Sequence, residues 1–475
     1  MSEANEHVTD RDTRQGTSPG VPINERSERS DVAQRGAGQP EANRPAGYSC
    51  AAGHAAALIA MDTSNPGGPG TRGERAAARY IADQLAAAGA TPELIEAEPG
   101  RTNVVLRIPG RRVGPGTVLH GHLDVVPADP REWSVDPFGG LIRDGFVWGR
   151  GAVDMKGADG MLLALAQRWL GTGVAPEHDV VLAWVADEET GGDLGAGHLT
   201  RTRPDLFEGC ATAVGEVGGF SLPMGRGSTV YPVMTGERGQ ARVRLTARGR
   251  SGHSSVPAAG NPIATLSRAV VALAEHPFPY RHTDALDGFL AGLAELWRVD
   301  LGGPDVRRSL EKVGPLAALV EPAARCSATP TLLQAGTAVN VAPNLATATF
   351  DCRVLPAEWD AFTAALPGLV GDAVEIEVEH RSPGFETSFE TDVVAAMGAA
   401  LRVHDPGAIT VPYMVSASTD APHFARLGMQ TLGFLPVRLP LGFRFGRMFH
   451  GVDERVPVAG LDFGVEVLDT WLSGC

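Results

Sequence analysis

V-L-H-G-H-L-D-V-V-P at Val118–Pro127, G-R-G-A-V-D-M-K-G at Gly149–Gly157 and A-D-E-E-T-G-G at Ala186–Gly192 place His122, Asp124, Asp154, Glu188 and Glu189 at the ends of expected strands. Glycines beside them let backbone approach closely. Imidazole and carboxylate without thiolate is a donor set that suits zinc or a similar divalent cation poised to activate water. The three segments read as a two-metal hydrolytic centre.

The surroundings read as an α/β sheet. Strand-like runs fall at Thr102–Ile108, Thr117–His122 and Asp179–Ala186, and a helix over Met155–Leu170 lies between the last two. Two helices precede them, one from Cys50 and one in R-G-E-R-A-A-A-R-Y-I-A-D-Q-L-A-A-A-G, which Gly89 stops. Alternating helices and short apolar strands imply a sheet covered on both faces.

The middle of the chain has a different rhythm. The alternating stretch Gln240–Gly249 is a half-exposed strand, followed by the S-G-H-S-S-V-P turn and an apolar helix over Pro262–Glu275. Strands at Thr337–Val341 and Ala346–Val354, a helix over Ala357–Leu369 and a strand over Ala373–Glu379 complete a β-α-β-β-α-β order, the ferredoxin-like pattern. The expected organisation is a tail over 1–46, a catalytic domain in two parts (47–235 and 385–475), and between them a smaller α+β unit over 236–384 with an insertion at 277–335. The tail is polar, with scarcely an apolar residue, and is expected to be disordered because it cannot offset its ordering entropy. No role is readable for L-D-G-F-L-A-G-L-A-E-L-W inside the insertion.

Composition excludes several classes. A chain of 475 residues with 43% hydrophobic content has material for two domains. A net charge of −15 argues against nucleic acid as a partner. No run of eighteen apolar residues and no basic region followed by an apolar one are present, so the expectation is no membrane partner and a cytoplasmic location. Five scattered cysteines without C-x-x-C fit reduced thiols. Lys156 and Lys312 are the only lysines among 41 basic residues, so a single arginine carries little weight.

Taken singly, the motif residues have plain readings. His122 and Asp124 are two apart on a strand and point to one side, so one can hold a metal while the other fixes the imidazole. Asp154 before a helix also reads as an N-cap, and adjacent glutamates after a strand as a solvated turn. Their joint order and spacing carry the metal reading.

Together the segments resemble the zinc aminoacylase, carboxypeptidase and succinyl-diaminopimelate desuccinylase family of co-catalytic metallopeptidases, metallopeptidase family twenty. The resemblance runs from about Cys50 to the end, apart from the middle insertion. It implies a di-zinc exopeptidase-type α/β catalytic domain interrupted by a ferredoxin-like lid and dimerisation domain. It assigns His122 and Glu216 of A-V-G-E-V-G-G to one metal, Glu189 and His450 of M-F-H-G-V-D-E-R-V to the other, and Asp154 as the bridge. Glu188 becomes the base acting on a metal-bridging water, and Asp124 supports the imidazole. The cofactor is two Zn2+ per subunit, with Co2+ or Mn2+ as substitutes.

Glutamate at position 216 matches the acylase, carboxypeptidase and desuccinylase branch, whose substrates are small amides or short peptides with a free carboxylate. His253, Asn340 and Arg353 match its substrate-binding positions; Arg can grip a carboxylate with two parallel hydrogen bonds. In dimeric relatives the residue at His253 reaches the neighbouring subunit's site, which raises a homodimer through the lid domain. The implied activity is cleavage of N-acyl amino acids or of the C-terminal residue of short peptides. The alternatives are a dipeptidase or aminopeptidase of the same family, or a catalytically silent binding or scaffold relative.

Overall fold

The computed structural model describes residues 50–225, 227–256 and 259–474. The expected disordered tail, 1–46, lies outside the described residues. The first part of the chain lays down strands β1 (Glu93–Glu98), β2 (Arg101–Ile108), β3 (Gly116–His122), β4 (Val180–Val185), β5 (Cys210–Gly215), β6 (Leu222–Gly225) and β7 (Ser228–Glu237). With them come helices α1 (Ala51–Ile59), α2 (Arg75–Ala87) and α3 (Lys156–Thr172). The strand and helix limits read from sequence hold here to within two residues.

The chain then forms a second sheet from β8 (Gly239–Arg248), β9 (Ser327–Ala335), β10 (Leu345–Val354) and β11 (Val374–Ser382). Helix α4 (Pro262–Ala274) follows β8, α5 (Asp284–Trp297) and α6 (Val306–Val313) occupy the insertion, and α7 (Trp359–Val370) precedes β11. Strand order is β9-β10-β8-β11, every neighbouring pair antiparallel. Alternate residues of β8, Ala241, Val243, Leu245 and Ala247, pack on Leu266 and Leu273 of α4 and Phe362 and Leu366 of α7.

The chain returns through β12 (Phe385–Glu386), α8 (Asp392–His404), β13 (Ala408–Val415), β14 (Gln430–Gly433) and α9 (Val458–Ser473). Ten strands form the first sheet: β1-β2-β4-β3-β5-β14-β7-β12 in order, with β6 and β13 also paired to β7. β4, β3, β5 and β14 run parallel. All six residues of β4, V-V-L-A-W-V, are buried, as a central parallel strand requires. Leu182 and Trp184 face α1, α3 and α9, while Val181, Ala183 and Val185 face Leu199, Phe207 and Phe424.

One strand departs from the sequence reading. The strand beside β10 is Ser327–Ala335, not Thr337–Val341; 336–340 is a turn, where Gly336 takes φ +67°. Pro330 disguises the real strand, but β9 is an edge, where a missing N–H is tolerated, and its register shifts between Pro330 and Leu332. The insertion therefore ends near residue 326.

The insertion has a clear packing role. Phe289, Leu290 and Leu293 of α5 and Leu310 and Val313 of α6 join Val230, Met234, Val411, Tyr413 and Val415 of the first sheet in one buried cluster. Gly288 and Gly292 are one helical turn apart and bring α5 against β13: a Cβ on them would stand 2.4 Å from Pro412 Cγ and 2.5 Å from Val411 Cγ1. A segment inserted in the second sheet's topology is thus welded to the first. In a free helix Gly→Ala stabilises by about 1 kcal/mol. Gly292→Ala is expected instead to lower unfolding free energy by ~1–3 kcal/mol through overpacking, read by urea denaturation; a gain in stability would refute the close approach.

Candidate metal centre

The C-terminal ends of β3, β4 and β5 lie side by side, and each delivers a motif residue: His122 ends β3, the turn Glu188–Thr190 follows β4, and Glu216 follows β5. This is the crevice at which open α/β sheets place their ligands. Asp154 arrives from the loop before α3 and His450 from the loop before α9.

Asp154 lies between the two histidines. His122 Nε2 is 3.0 Å from its Oδ1, and His450 Nε2 is 3.2 Å from its Oδ2. Glu216 Oε1 is 3.9 Å from His122 Nε2, and Glu189 Oε2 is 3.1 Å from His450 Nε2. Two triads result, His122–Asp154–Glu216 and Asp154–Glu189–His450, each with donor atoms within 4.8 Å of one another. Glu188 Oε2 stands 3.8 Å from His122 Nε2 and belongs to neither triad.

The electrostatics fit divalent cations. Burial and the neighbouring carboxylates push the carboxyls of Glu188 and Glu216 well above the usual range, against the pull of His122. Hydrogen bonds to Asp154 and Glu189 raise His450 to about 10. Burial works to lower the His122 imidazole, but its contacts with Asp124 and Asp154 outweigh it and hold it well above its usual value. Acids outnumber imidazoles in a buried space, the signature of a site completed by positive charge. Two imidazoles and three carboxylates, one shared, are a donor set suited to zinc or related ions.

Asp124 meets the His122 imidazole chiefly through its main chain, with its carboxylate alongside. His122 Nδ1 is 2.9 Å from the Asp124 main-chain oxygen and 3.6 Å from its carboxylate. That carboxylate also accepts from the backbone N–H of Glu188 (3.1 Å) and Glu189 (3.2 Å) and from Asn65 Nδ2 (2.8 Å). A strand-end carboxylate beside an N–H-rich turn satisfies those donors first.

Behind the same turn lies a charged relay that sequence reasoning missed. Arg101 forks onto Glu74 (Nε–Oε2 2.9 Å, Nη2–Oε1 2.8 Å) and reaches Asp187 Oδ1 at 3.0 Å. Asp187, with φ +73°, accepts from Thr190 Oγ1 at 2.6 Å and from Leu194 N at 3.1 Å. Burial raises the Glu74 carboxyl to about 7 even with the guanidinium on it. Glu74 opens an ordinary amphipathic helix, so nothing in its pattern marks it as buried.

The substrate-side residues divide. Arg353 donates to Ser418 Oγ (3.2 Å) and Asp351 Oδ2 (3.1 Å), which brings it to the segment S-T-D-A at Ser418–Ala421; there Thr419 donates to buried Glu237, and Asp420 is buried. Next to it Arg238 is buried, its Nε without a partner among the described residues. His253 and Asn340 lie apart from this group. They are exposed, His253 in a two-stranded ribbon with Val341, and no hydrogen bond or ion pair among the described residues joins them to the His122 cluster.

The relay generates a test. Arg101→Met leaves two buried carboxylates unpaired and is expected to cost about 3–5 kcal/mol of stability, read by chemical denaturation. An unchanged midpoint would show that the relay does not support the turn.

The profile of Peptidase family M20/M25/M40 matches residues 118–473. The N-fatty-acyl-amino acid synthase/hydrolase PM20D1 of Mus musculus is 31% identical over 368 residues, 72% of this chain and 70% of the mouse protein. The succinyl-diaminopimelate desuccinylase of Methylobacterium radiotolerans is 29% identical over 424 residues, 84% of this chain and 93% of that protein. The M20 family metallo-carboxypeptidase Sso-CP2 of Sulfolobus solfataricus superposes with a TM-score of 0.65 at 18% identity, covering 88% of this chain and 97% of its own. The chain belongs to peptidase family M20/M25/M40 and is a hydrolase of amide bonds.

Proposed function

We propose that this enzyme cleaves the amide bond of N-acyl amino acids, or releases the C-terminal residue of short peptides, at a centre holding two divalent cations. His122 and Glu216 hold one cation, Glu189 and His450 the other, and Asp154 bridges them. The observation that carries this reading is the division of Asp154, one oxygen toward each histidine. Zinc is the expected metal, with Co2+ or Mn2+ able to substitute. Two such cations supply Lewis acidity for the scissile carbonyl and lower the pKa of water.

The chain's own residues do the rest. The Glu188 side chain, 10% exposed, lies beside the cluster but outside both triads, so its carboxylate is free to take a proton from water and return it to the leaving amine. The backbone N–H groups of Glu188 and Glu189 both donate to the Asp124 carboxylate, which holds the turn that aims it. Arg353 supplies a guanidinium at the S-T-D-A segment for a free substrate carboxylate. The named relatives that act on N-fatty-acyl amino acids and on succinyl-diaminopimelate support an N-acyl substrate of this kind.

The unit over 236–384 is read as a ferredoxin-like lid and dimerisation domain, supported by its antiparallel order β9-β10-β8-β11. β9 is an open edge bearing exposed Leu332 and Leu333, a surface suited to a second copy. In a homodimer paired there, His253 and Asn340 serve the neighbouring chain's site, consistent with the absence, among the described residues, of any hydrogen bond or ion pair joining them to their own. No described helix is long and apolar enough to cross a membrane, and the four described cysteines are free. The cytoplasm is the proposed compartment.

Elemental analysis is expected to find two metal equivalents, and chelation to abolish hydrolysis of N-acyl amino acids. Glu188→Gln should keep the metal and lower kcat by roughly 10²–10⁴-fold; full activity in that variant would end the base assignment. Arg353→Ala should raise KM by roughly 10–100-fold, the worth of a charged hydrogen bond, with little effect on a methyl-ester substrate. Equal losses on acid and ester would remove Arg353 from the carboxylate site.

A further inference from the structure

Glu454 is fully buried, and its carboxylate is saturated by four donors. Oε1 accepts from the backbone N–H of Val153 (2.7 Å) and Asp154 (3.1 Å); Oε2 accepts from Gly151 N–H (3.0 Å) and Arg150 Nη1 (2.8 Å). Arg150 is also buried and turns the other way. Its Nη1 donates to the Gly451 carbonyl (3.0 Å) and its Nη2 to the His450 carbonyl (3.3 Å), while its guanidinium lies 5.2 Å from the Trp133 ring centre. Gly149 N–H closes the loop on the Glu454 carbonyl at 2.9 Å. Two segments 300 residues apart in sequence are thus clipped together by one ion pair.

We propose that Glu454 and Arg150 are positioning residues that set the separation of Asp154 from His450, and with it the cation position on the His450 side. Glu454 holds the peptide of Asp154, and Arg150 holds the carbonyl of His450. Stability alone is a poor reason for the pair, since apolar side chains of similar volume often serve a buried site as well or better. The pair has a different use: three N–H groups of the 151–154 loop need acceptors away from water. His450 itself takes φ +54°, an uncommon conformation for a side chain of its size, persisting where surrounding contacts over-determine it. The Arg150 contact to its carbonyl is one such restraint. Ligands oriented in this way by outer contacts lose metal affinity when those contacts are changed.

The inference rests on the two-cation reading, and the test separates the two. The full chain, stripped of metal with chelator, is titrated with Zn2+ by calorimetry and with Co2+ by absorption, as wild type, Glu454→Gln and Arg150→Lys. The glutamine keeps the shape but presents N–H where an acceptor is needed; the lysine keeps the charge but loses the fork. Wild type is expected to bind two equivalents. In both variants the weaker equivalent should lose roughly 10–100-fold in affinity and the Co2+ spectrum should change, while the tighter one moves less. Unchanged affinities for both equivalents in a folded variant would overturn the positioning role and leave the two-cation reading intact. Failure of wild type to bind two would overturn both. Should Glu454→Gln not fold, Arg150→Lys carries the same expectation.

Discussion

The structure depends on how much negative charge it can keep dry. Asp154, Glu188, Glu189, Glu216 and Asp420 crowd around two imidazoles, with Asp124 and Asp187 close behind. Each buried carboxylate costs several kcal/mol unless donors or cations answer it. The chain meets that cost twice over: cations are proposed for the inner face, and an outer layer of backbone N–H groups, Asn65, Arg101 and Arg150 secures the rest. Three adjacent parallel strands make the arrangement geometrically cheap, because their C-terminal ends bring three acidic or imidazole groups together without long loops.

Much of the centre was legible because its residues carry their own signal. His122, Asp154, Glu188 and Glu189 sit in glycine-rich strand ends, and Glu216 and His450 followed from the resemblance and do converge on them. The outer layer was not legible. Glu74 and Glu454 look like surface glutamates in sequence, and only the fold reveals that both are fully buried. Asp124 was correctly placed beside the histidine, but its carboxylate answers a turn that is formed 64 residues later. Pro330 hid an edge strand because pattern reading treats proline as a breaker wherever it occurs.

The insertion was the least readable segment and has one of the larger mechanical effects. Its α5 rests on β13 through Gly288 and Gly292, while its two ends belong to the second sheet. The chain therefore crosses between the two sheets' territories at four places, not only at the β7–β8 and β11–β12 joints. A rotation of one sheet against the other must break the apolar cluster around Phe289 or carry it along. Glycine spacing rather than any functional motif produces this restraint.

The two histidines differ sharply in access to water: the His122 side chain is 1% exposed and the His450 side chain 55%. If both triads are filled as proposed, one ion sits behind a closed wall and the other behind a door. Exchange with the medium then runs at two speeds. The outer position is the one that a chelator or an ion in solution reaches first.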